Sequence, residues 1–376
     1  MRFLFVTQVK DVHALAVEFA LKSRGHDVVK WYTSDFPLKQ CITFNINDQC
    51  EYKSKIIGPE ICDNGELFDV VWLRRPSRPV LDLKDLHPSD RCVAAEECER
   101  FFRCIWDAIA PEARWLNPYH GHLRANNKIL QLQMAMRVGL RIPPTLVTNN
   151  PVDIGMFISK YGKKPLIYKC FAQYRWGLPD GGIARTQTSV INPDDMPIDA
   201  ILQRVPGIYQ PLIEKKYDVR ANFFGDHDIS VQIHSQEHRD GIYDWRQIPL
   251  DEMKIEQVYI PDDVKYKCIS LMKLLGIKFG CFDFVVDEND NYIFLEVNEM
   301  GQFLWIEVVD PKIKILSTFV NFIEKIASGY APDSSMFDNI DDDLSYVELS
   351  DDPVFQEELH RQEMTHLVYE RLPIPE

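Results

Sequence analysis

FDFVVDENDNYIFLEVNEMGQFLWIE, residues 282–307, reads as two runs of strand-forming residues joined by a short polar loop. Apolar residues would pack better throughout, yet Asp283, Glu296 and Asn298 interrupt them. Strand side chains alternate faces, so Glu296 and Asn298 point the same way. With Glu288–Asn291 as a four-residue loop, Asp287 pairs with Tyr292, and counting back sets Asp283 opposite Glu296. Two carboxylates that close repel each other unless a cation sits between them. Oxygen ligands from few residues, with room left for water and phosphate, suit Mg²⁺ better than zinc. A solvated polar face without an ion is the competing reading of the same three residues.

Outward from this hairpin the chain divides by pattern. RFLFVTQ (2–8), DVVKWYT (27–33) and LFDVVWLRRP (67–76) are short apolar strands. HALAVEFALKSRG (13–25) and AAEECERFFRCIWDAIAP (94–111) have helical spacing, closed by Gly25 and Pro111. Strands alternating with helices predict a small α/β domain over residues 1–115. A helix over NNKILQLQMAMRVGL (126–140) and strands at RIPPTLVTN (141–149) and KKPLIYKCF (163–171) make a central lobe, residues 116–205. There, YRWGLPDGGIARTQTSVI (174–191) has the small residues of a closing loop. Residues 206–330 read mostly as antiparallel strands, with helices at DDVKYKCISLMKLLGI (262–277) and KIKILSTFVNFIEKIASG (312–329). The fold class expected is mixed α/β.

The whole sequence of 376 residues carries a net charge of −15, unevenly spread. From Ala331 to Glu376 thirteen acids face only Arg361 and Arg371, a net of −11, so the remainder carries −4. No basic face for a nucleic-acid backbone is indicated. The acidic extension reads as a peptide-docking arm, an oligomer contact or a solubilising tail, the last being the usual role of a charge run. Within it, PVFQEELHRQEMTHLVYERL (353–372) has helical spacing. No run approaches a membrane span, and the N-terminal apolar stretch is too short for a signal peptide. Nine cysteines without a C-x-x-C pair indicate neither a disulfide framework nor a zinc knuckle, which fits a reduced cytoplasm. His120 and His122, like His234 and His238, lack the helical spacing that converges on one ion.

FDFVV and YIFLEVNEMGQ together resemble the metal-binding hairpin of the ATP-grasp superfamily, an Asp on one strand and Glu-x-Asn on the next. The resemblance implies an ATP-grasp fold preceded by an N-terminal α/β domain. Asp283, Glu296 and Asn298 would hold two Mg²⁺ ions that bridge the triphosphate of ATP. Lys128 and Lys169 resemble the two phosphate-contacting lysines. A lysine on a core-facing strand such as LIYKC is costly unless an anion meets it. YQPLIEK resembles the inter-lobe hinge, where backbone groups of Gln210, Pro211, Leu212 and Ile213 would read adenine and Glu214 could reach the ribose. Arg220, in YDVRANFFG, would face phosphate or acyl phosphate. Gly181 and Gly182 would let backbone N–H groups close over the triphosphate. No G-x-x-x-x-G-K-[ST] sequence occurs.

WLRRPSRP, IHSQEHRDGIYDWRQ and NEMGQFLWIE, in that order, further resemble the graspetide synthetases, ATP-grasp maturases of ribosomal peptides of the microviridin type. The resemblance runs to about residue 330 and leaves the acidic extension, residues 331–376, outside it. It implies phosphorylation of an Asp or Glu side chain in a precursor peptide made of leader and core. A Ser or Thr hydroxyl or a Lys amine of the same peptide then attacks the acyl phosphate, giving an ester or amide ring, ADP and phosphate. It also implies a homodimer. Arg246 is the candidate for stabilising the tetrahedral intermediate, with an ion pair to Asp244 as the alternative. Asp244 is a candidate base. Arg74 and Arg75 would either steer an acidic peptide or be solvated, and Phe303 and Trp305 would pack on ligand or in the core. Two other readings are a ligase adding amino acids to a peptide or protein terminus, and a catalytically inactive ATP-grasp binding protein.

Overall fold

A computed structural model describes residues 1–49, 51–63, 67–172, 175–177, 183–186, 188–329 and 344–369. The N-terminal unit is a four-stranded parallel sheet in the order Asp27–Tyr32, Arg2–Thr7, Val70–Leu73, Arg114–Trp115. The helix Val12–Ser23 crosses between the first two strands in the chain; its cap, Asp11, accepts from the amides of His13 and Ala14. An antiparallel sheet of Cys41–Ile46, Tyr52–Gly58 and Ile61–Asp63 extends this unit. That sheet was not anticipated, because much of it is exposed and lysines break its apolar alternation.

The central sheet orders Ser189–Ile191, Leu166–Lys169, Gly207–Pro211 and Leu146–Thr148. Helix Tyr119–Asn126 precedes it in the chain and helix Pro151–Tyr161 connects two of its strands; neither was read from the sequence. The second had a signal: Asn150 caps it and Pro151 stands in its first turn. The expected closing loop contains a small hairpin, Arg175–Gly177 with Ile183–Arg185.

The five-stranded sheet runs Ile255–Val258, His227–Ile233, Lys215–Phe224, Phe279–Asp287, Tyr292–Asn298, antiparallel throughout. Within this region, read mostly as strands, the stretch 235–247 forms three short 3-10 turns. Helices Lys128–Arg137 and Asp262–Leu275 cover one face through Phe223, Phe282, Phe284 and Phe294. The helix Ile315–Ser328 covers the other, ending at Gly329 with φ +81°, where a side chain would be strained. Phe319 of this helix joins the two units: its ring lies 4.8 Å from Trp72 of the N-terminal sheet and 5.3 Å from Phe279 of the five-stranded sheet. Burying such a ring contributes about 1.5–3 kcal/mol.

The described part of the acidic extension, residues 344–369, is not a free tail. Helices Tyr346–Asp351 and Pro353–Thr365 pack against the N-terminal unit. The Phe355 ring sits 5.5 Å from Phe19, and Glu307 accepts from the amide of Tyr346 at 2.6 Å. Buried Lys30 lies between Glu18, 2.8 Å, and Glu358 of the extension, 2.7 Å. Buried His366 stacks on Tyr32 at 3.8 Å and bonds Asp35 at 2.6 Å. Its apolar positions and these ion pairs hold the segment in place, which charge counting alone did not reveal. No helix among the described residues is long and apolar enough to cross a membrane.

Candidate active site

Strand pairing does set Asp283 opposite Glu296, but not by the expected count. Tyr292 pairs with Val286, not Asp287, and the register slips by one between Asp283 and Phe284. The loop is one residue longer than ENDN implies, with Asp287 accepting from the amides of Asn289 and Asn291. A bulge at Leu295 absorbs that residue, so the carboxylates face each other through two compensating departures from a regular hairpin. Asn298 completes the cluster: its amide nitrogen lies 3.2 Å from Asp283 Oδ2 and 3.5 Å from Glu296 Oε1.

The hairpin is held from behind. Gln131 donates to the carbonyls of Ala125 and Val297 and accepts from the Val297 amide. Asn117 donates to Phe279 O and Glu299 O, both at 2.9 Å. Past the second strand, buried Arg74 donates to the Met300 and Gly301 carbonyls and pairs with Asp11 at 3.2 Å. Arg74 is therefore structural, neither solvated nor free to steer a peptide. His13 accepts from the amides of Phe303 and Leu304 at 3.0 and 3.2 Å, and burial, helped by Arg74, keeps its imidazole neutral by pushing the pKa well below the ordinary value. Phe303 is buried in the core, and Trp305 packs on Trp245 at 5.0 Å.

Cations surround the two carboxylates. Arg220 is registered directly across from Asp283 and donates to both its oxygens at 2.9 Å, with a further bond to Gln302 O at 3.0 Å. Expected to face phosphate, Arg220 is instead 5% exposed and bidentate on the aspartate. Burial pushes the Asp283 carboxyl up despite this partner. Lys128 bonds Glu296, and Arg246 lies 3.6 Å from it. Burial opposes the Glu296 charge, yet Lys128 and Arg246 hold its carboxyl well below the usual range. Lys169 feels Glu296 and Arg246, but among the described residues no carboxylate reaches ion-pair distance of its ammonium; burial pushes its pKa down.

Arg246 and Asp244 form the alternative ion pair, with bonds of 2.8 and 2.9 Å. Burial raises the Asp244 carboxyl, but Arg246 more than offsets this and holds it below the usual range. So strongly paired an acid is a weak base. Sequence reading missed Asp218, on the Arg220 face of the same strand: it is buried, accepts from Lys215 at 2.6 Å and from Ser235, and burial pushes its carboxyl up. The two-residue spacing of Asp-x-Arg was the signal available.

In the hinge, the Leu212 amide donates to Pro165 O at 2.7 Å and is not free to read a base. Pro211 has no N–H, which leaves Ile213 as the candidate amide. Gln210 is buried, donating to Thr145 at 2.9 Å, while its Oε1 has no bonding partner among the described residues. Glu214 is exposed, 3.6 Å from Lys164. Gly181 and Gly182 lie outside the described residues. The histidines pair singly with acids: His122 with Glu299, His120 with Asp107, His234 with Glu237, His238 with Glu252. Among the described residues no group of three or more His, Cys, Asp or Glu could hold an ion. Asp283 and Glu296, with Asn298, therefore fit a hard divalent cation only if phosphate and water supply the remaining ligands.

No protein-family model matches the chain, and no curated protein matches it. Solved structures do. A RiPP-associated ATP-grasp ligase of Chryseobacterium gregarium, in complex with ADP and a leader and core peptide, aligns with TM-score 0.76 at 24% identity, covering 88% of this chain and 97% of that one. The macrocyclase MdnC of Microcystis aeruginosa MRC, bound with precursor peptide MdnA, aligns with TM-score 0.74 at 24% identity over 88% of this chain and all of that one. The macrocyclase MdnB of the same organism gives TM-score 0.70 at 26% identity, over 86% and 98%. This chain thus has the fold of the ATP-grasp ligases, shared with these structures over 86% to 88% of its length.

Proposed function

We propose that this protein is an ADP-forming ligase that closes rings in a ribosomal precursor peptide. The observation that carries the reading is the convergence of Asp283, Glu296 and Asn298 with Lys128, Lys169 and Arg246 on one face of the sheet. Phosphorylating a carboxylate brings anions together, and only a site dense in fixed cations offsets that. Solved structures of the same fold, one in complex with a leader and core peptide and one bound with a precursor peptide, support a peptide substrate.

On this reading an oxygen of a peptide Asp or Glu attacks the γ-phosphorus of ATP and ADP leaves. A hydroxyl or amine of the same peptide then attacks the acyl carbon; the carbon–oxygen bond to phosphate breaks, and the proton departs with the phosphate. Lys128 and Lys169 hold the triphosphate, and Arg246 stabilises charge at the acyl centre. Two Mg²⁺ ions at Asp283, Glu296 and Asn298 would offset the triphosphate charge. Arg220 aims Asp283 and opposes the upward push of burial on its carboxyl. The Ile213 amide and Gln210 would read the base, and Glu214 the ribose. Residues 1–115, 116–205, 206–330 and 331–376 would be the N-terminal domain, the two lobes and the extension, in a homodimer working in the reduced cytoplasm.

The test is an intact-mass spectrum of the short peptide encoded beside the gene, co-expressed with wild-type enzyme and with Glu296→Gln. Loss of one water per bond with wild type alone is the expected result. A gain of residue masses would instead establish a ligase that extends chains, and an unchanged mass without ATP turnover would remove the enzyme reading.

A further inference from the structure

Most cations near the hairpin already have acidic partners. Lys128 is paired with Glu296, Arg220 with Asp283, Arg246 with Asp244, Lys215 with Asp218, and Arg74 with Asp11. Lys169 is assigned above to phosphate. Arg75 stands apart. Its amide donates to Val6 O at 3.1 Å, but among the described residues its guanidinium has neither a carboxylate at ion-pair distance nor a hydrogen-bond acceptor. It is half-buried. A guanidinium partly withdrawn from water without a counter-charge bears a desolvation cost that an arriving anion would offset.

Its place in the fold says which anion. Arg75 follows the carboxyl end of the parallel strand Val70–Leu73, the edge at which open α/β sheets present ligands. The strand ends with Trp72 packed on Phe5 and Phe319 and with Leu73 on the opposite face; past it the amides of Arg74 and Arg75 both donate to Val6 O, so regular alternation stops there. Met300, two residues beyond Asn298, packs among the cluster on that second face, with Leu73. The carbonyls of Met300 and Gly301 are fixed by Arg74, and that of Gln302 by Arg220. Arg75 follows Arg74, whose guanidinium holds the Met300 and Gly301 carbonyls, and so stands near the loop that leaves the candidate metal hairpin. Its charge reaches inward far enough to act on buried His13 together with Arg74 and Arg220.

We propose that Arg75 determines substrate specificity by binding an acidic side chain of the substrate peptide next to the reacting carboxylate. A planar fork of donors matches a carboxylate through two parallel bonds, which an ammonium cannot reproduce. The inference rests on the ligase reading for its class of substrate, a peptide bearing Asp or Glu.

The experiment measures binding separately from turnover. A fluorophore-labelled copy of the peptide encoded beside the gene is titrated by anisotropy with wild type, Arg75→Ala, Arg75→Lys and Arg78→Ala, an exposed arginine nearby in the chain. ADP affinity and ADP release are measured on the same samples, and circular dichroism checks the fold. Arg75→Ala is expected to weaken peptide binding about tenfold or more while ADP affinity stays within twofold; Arg75→Lys recovers only part, and Arg78→Ala matches wild type. A peptide whose core Asp and Glu are replaced by Asn and Gln should bind wild type and Arg75→Ala alike. Equal binding of the native peptide by both proteins overturns the inference. So does a loss for ADP as large as for peptide, or a wild type that does not bind the peptide. Wild type that binds the peptide without releasing ADP removes the ligase reading instead and leaves the Arg75 contact standing.

Discussion

Arg220 and Asp283 sit directly across from each other on neighbouring strands, joined by two 2.9 Å hydrogen bonds, and both are buried. Removing one partner of such a pair leaves an uncompensated buried charge, at a cost of about 3–5 kcal/mol. Arg220→Met should therefore lower stability by about that amount in urea unfolding. Arg220→Met with Asp283→Asn should recover part of the loss, because the orphaned charge is gone. Additive losses in the double variant would show that the pair is not coupled.

Glu296 lies between Lys128 and Arg246, and its low pKa keeps it ionised across the physiological range. Glu296→Gln should cut peptide-dependent ADP release at least about a hundredfold, on the scale of losing one preorganised charge contact. Far-ultraviolet circular dichroism should be unchanged. Retained turnover would remove Glu296 from the chemistry.

The depressed pKa of Lys169 predicts an alkaline limit on nucleotide affinity. Phosphate binds the protonated lysine, so affinity is full below the depressed pKa and falls as pH rises through it. The same shift acts on stability with the opposite sense. Between that pKa and the ordinary lysine value the unfolded chain holds the extra proton, so stability contributed by this group rises with pH. ADP titrations from pH 7 to 10 should show a steeper loss for wild type than for Lys169→Arg, whose guanidinium stays charged. Parallel profiles would assign the pH dependence elsewhere.

Lys30 joins the C-terminal helix Pro353–Thr365 to the N-terminal unit through Glu18 and Glu358. Lys30→Met should destabilise by about 1.5–3 kcal/mol, since Glu18 and Glu358 each lose one of two cationic partners and keep Lys22 and Arg361. Ending the chain after residue 343 should lower the Tm by several degrees, because Phe19 and the groups around His366 would meet water. An unchanged Tm would show the extension to be dispensable for the fold.

Phe319 bridges the N-terminal and five-stranded sheets. Phe319→Ala should cost about 3–5 kcal/mol through lost transfer energy and a cavity. Chemical denaturation would check this, and a loss below about 1 kcal/mol would mean that the two units do not depend on this ring.

Much of the architecture was legible because it rests on local rules. Period-two alternation marked Glu296 and Asn298 as sharing a face, and helical spacing located Val12–Ser23, Asp262–Leu275 and Ile315–Ser328 nearly to the residue. The exposed sheet over Cys41–Asp63 was not legible, because sheet propensity depends on which neighbours cover a strand. Nor were the 3-10 turns of 235–247, whose polar residues satisfy one another locally.

By itself, then, the sequence determined the strand types, the faces of their side chains and the residue chemistry of the site. Only the tertiary structure decided the pairings. The bulge at Leu295 set Asp283 against Glu296, and Arg220 turned to Asp283 and away from the open site. Arg74 was committed to Asp11 and to backbone carbonyls while Arg75 kept its charge free of acids among the described residues. The acidic extension folded back onto Lys30. Each of these outcomes joins groups distant in the chain. Charge compensation and desolvation act through space, so no local pattern could rank the possible partners.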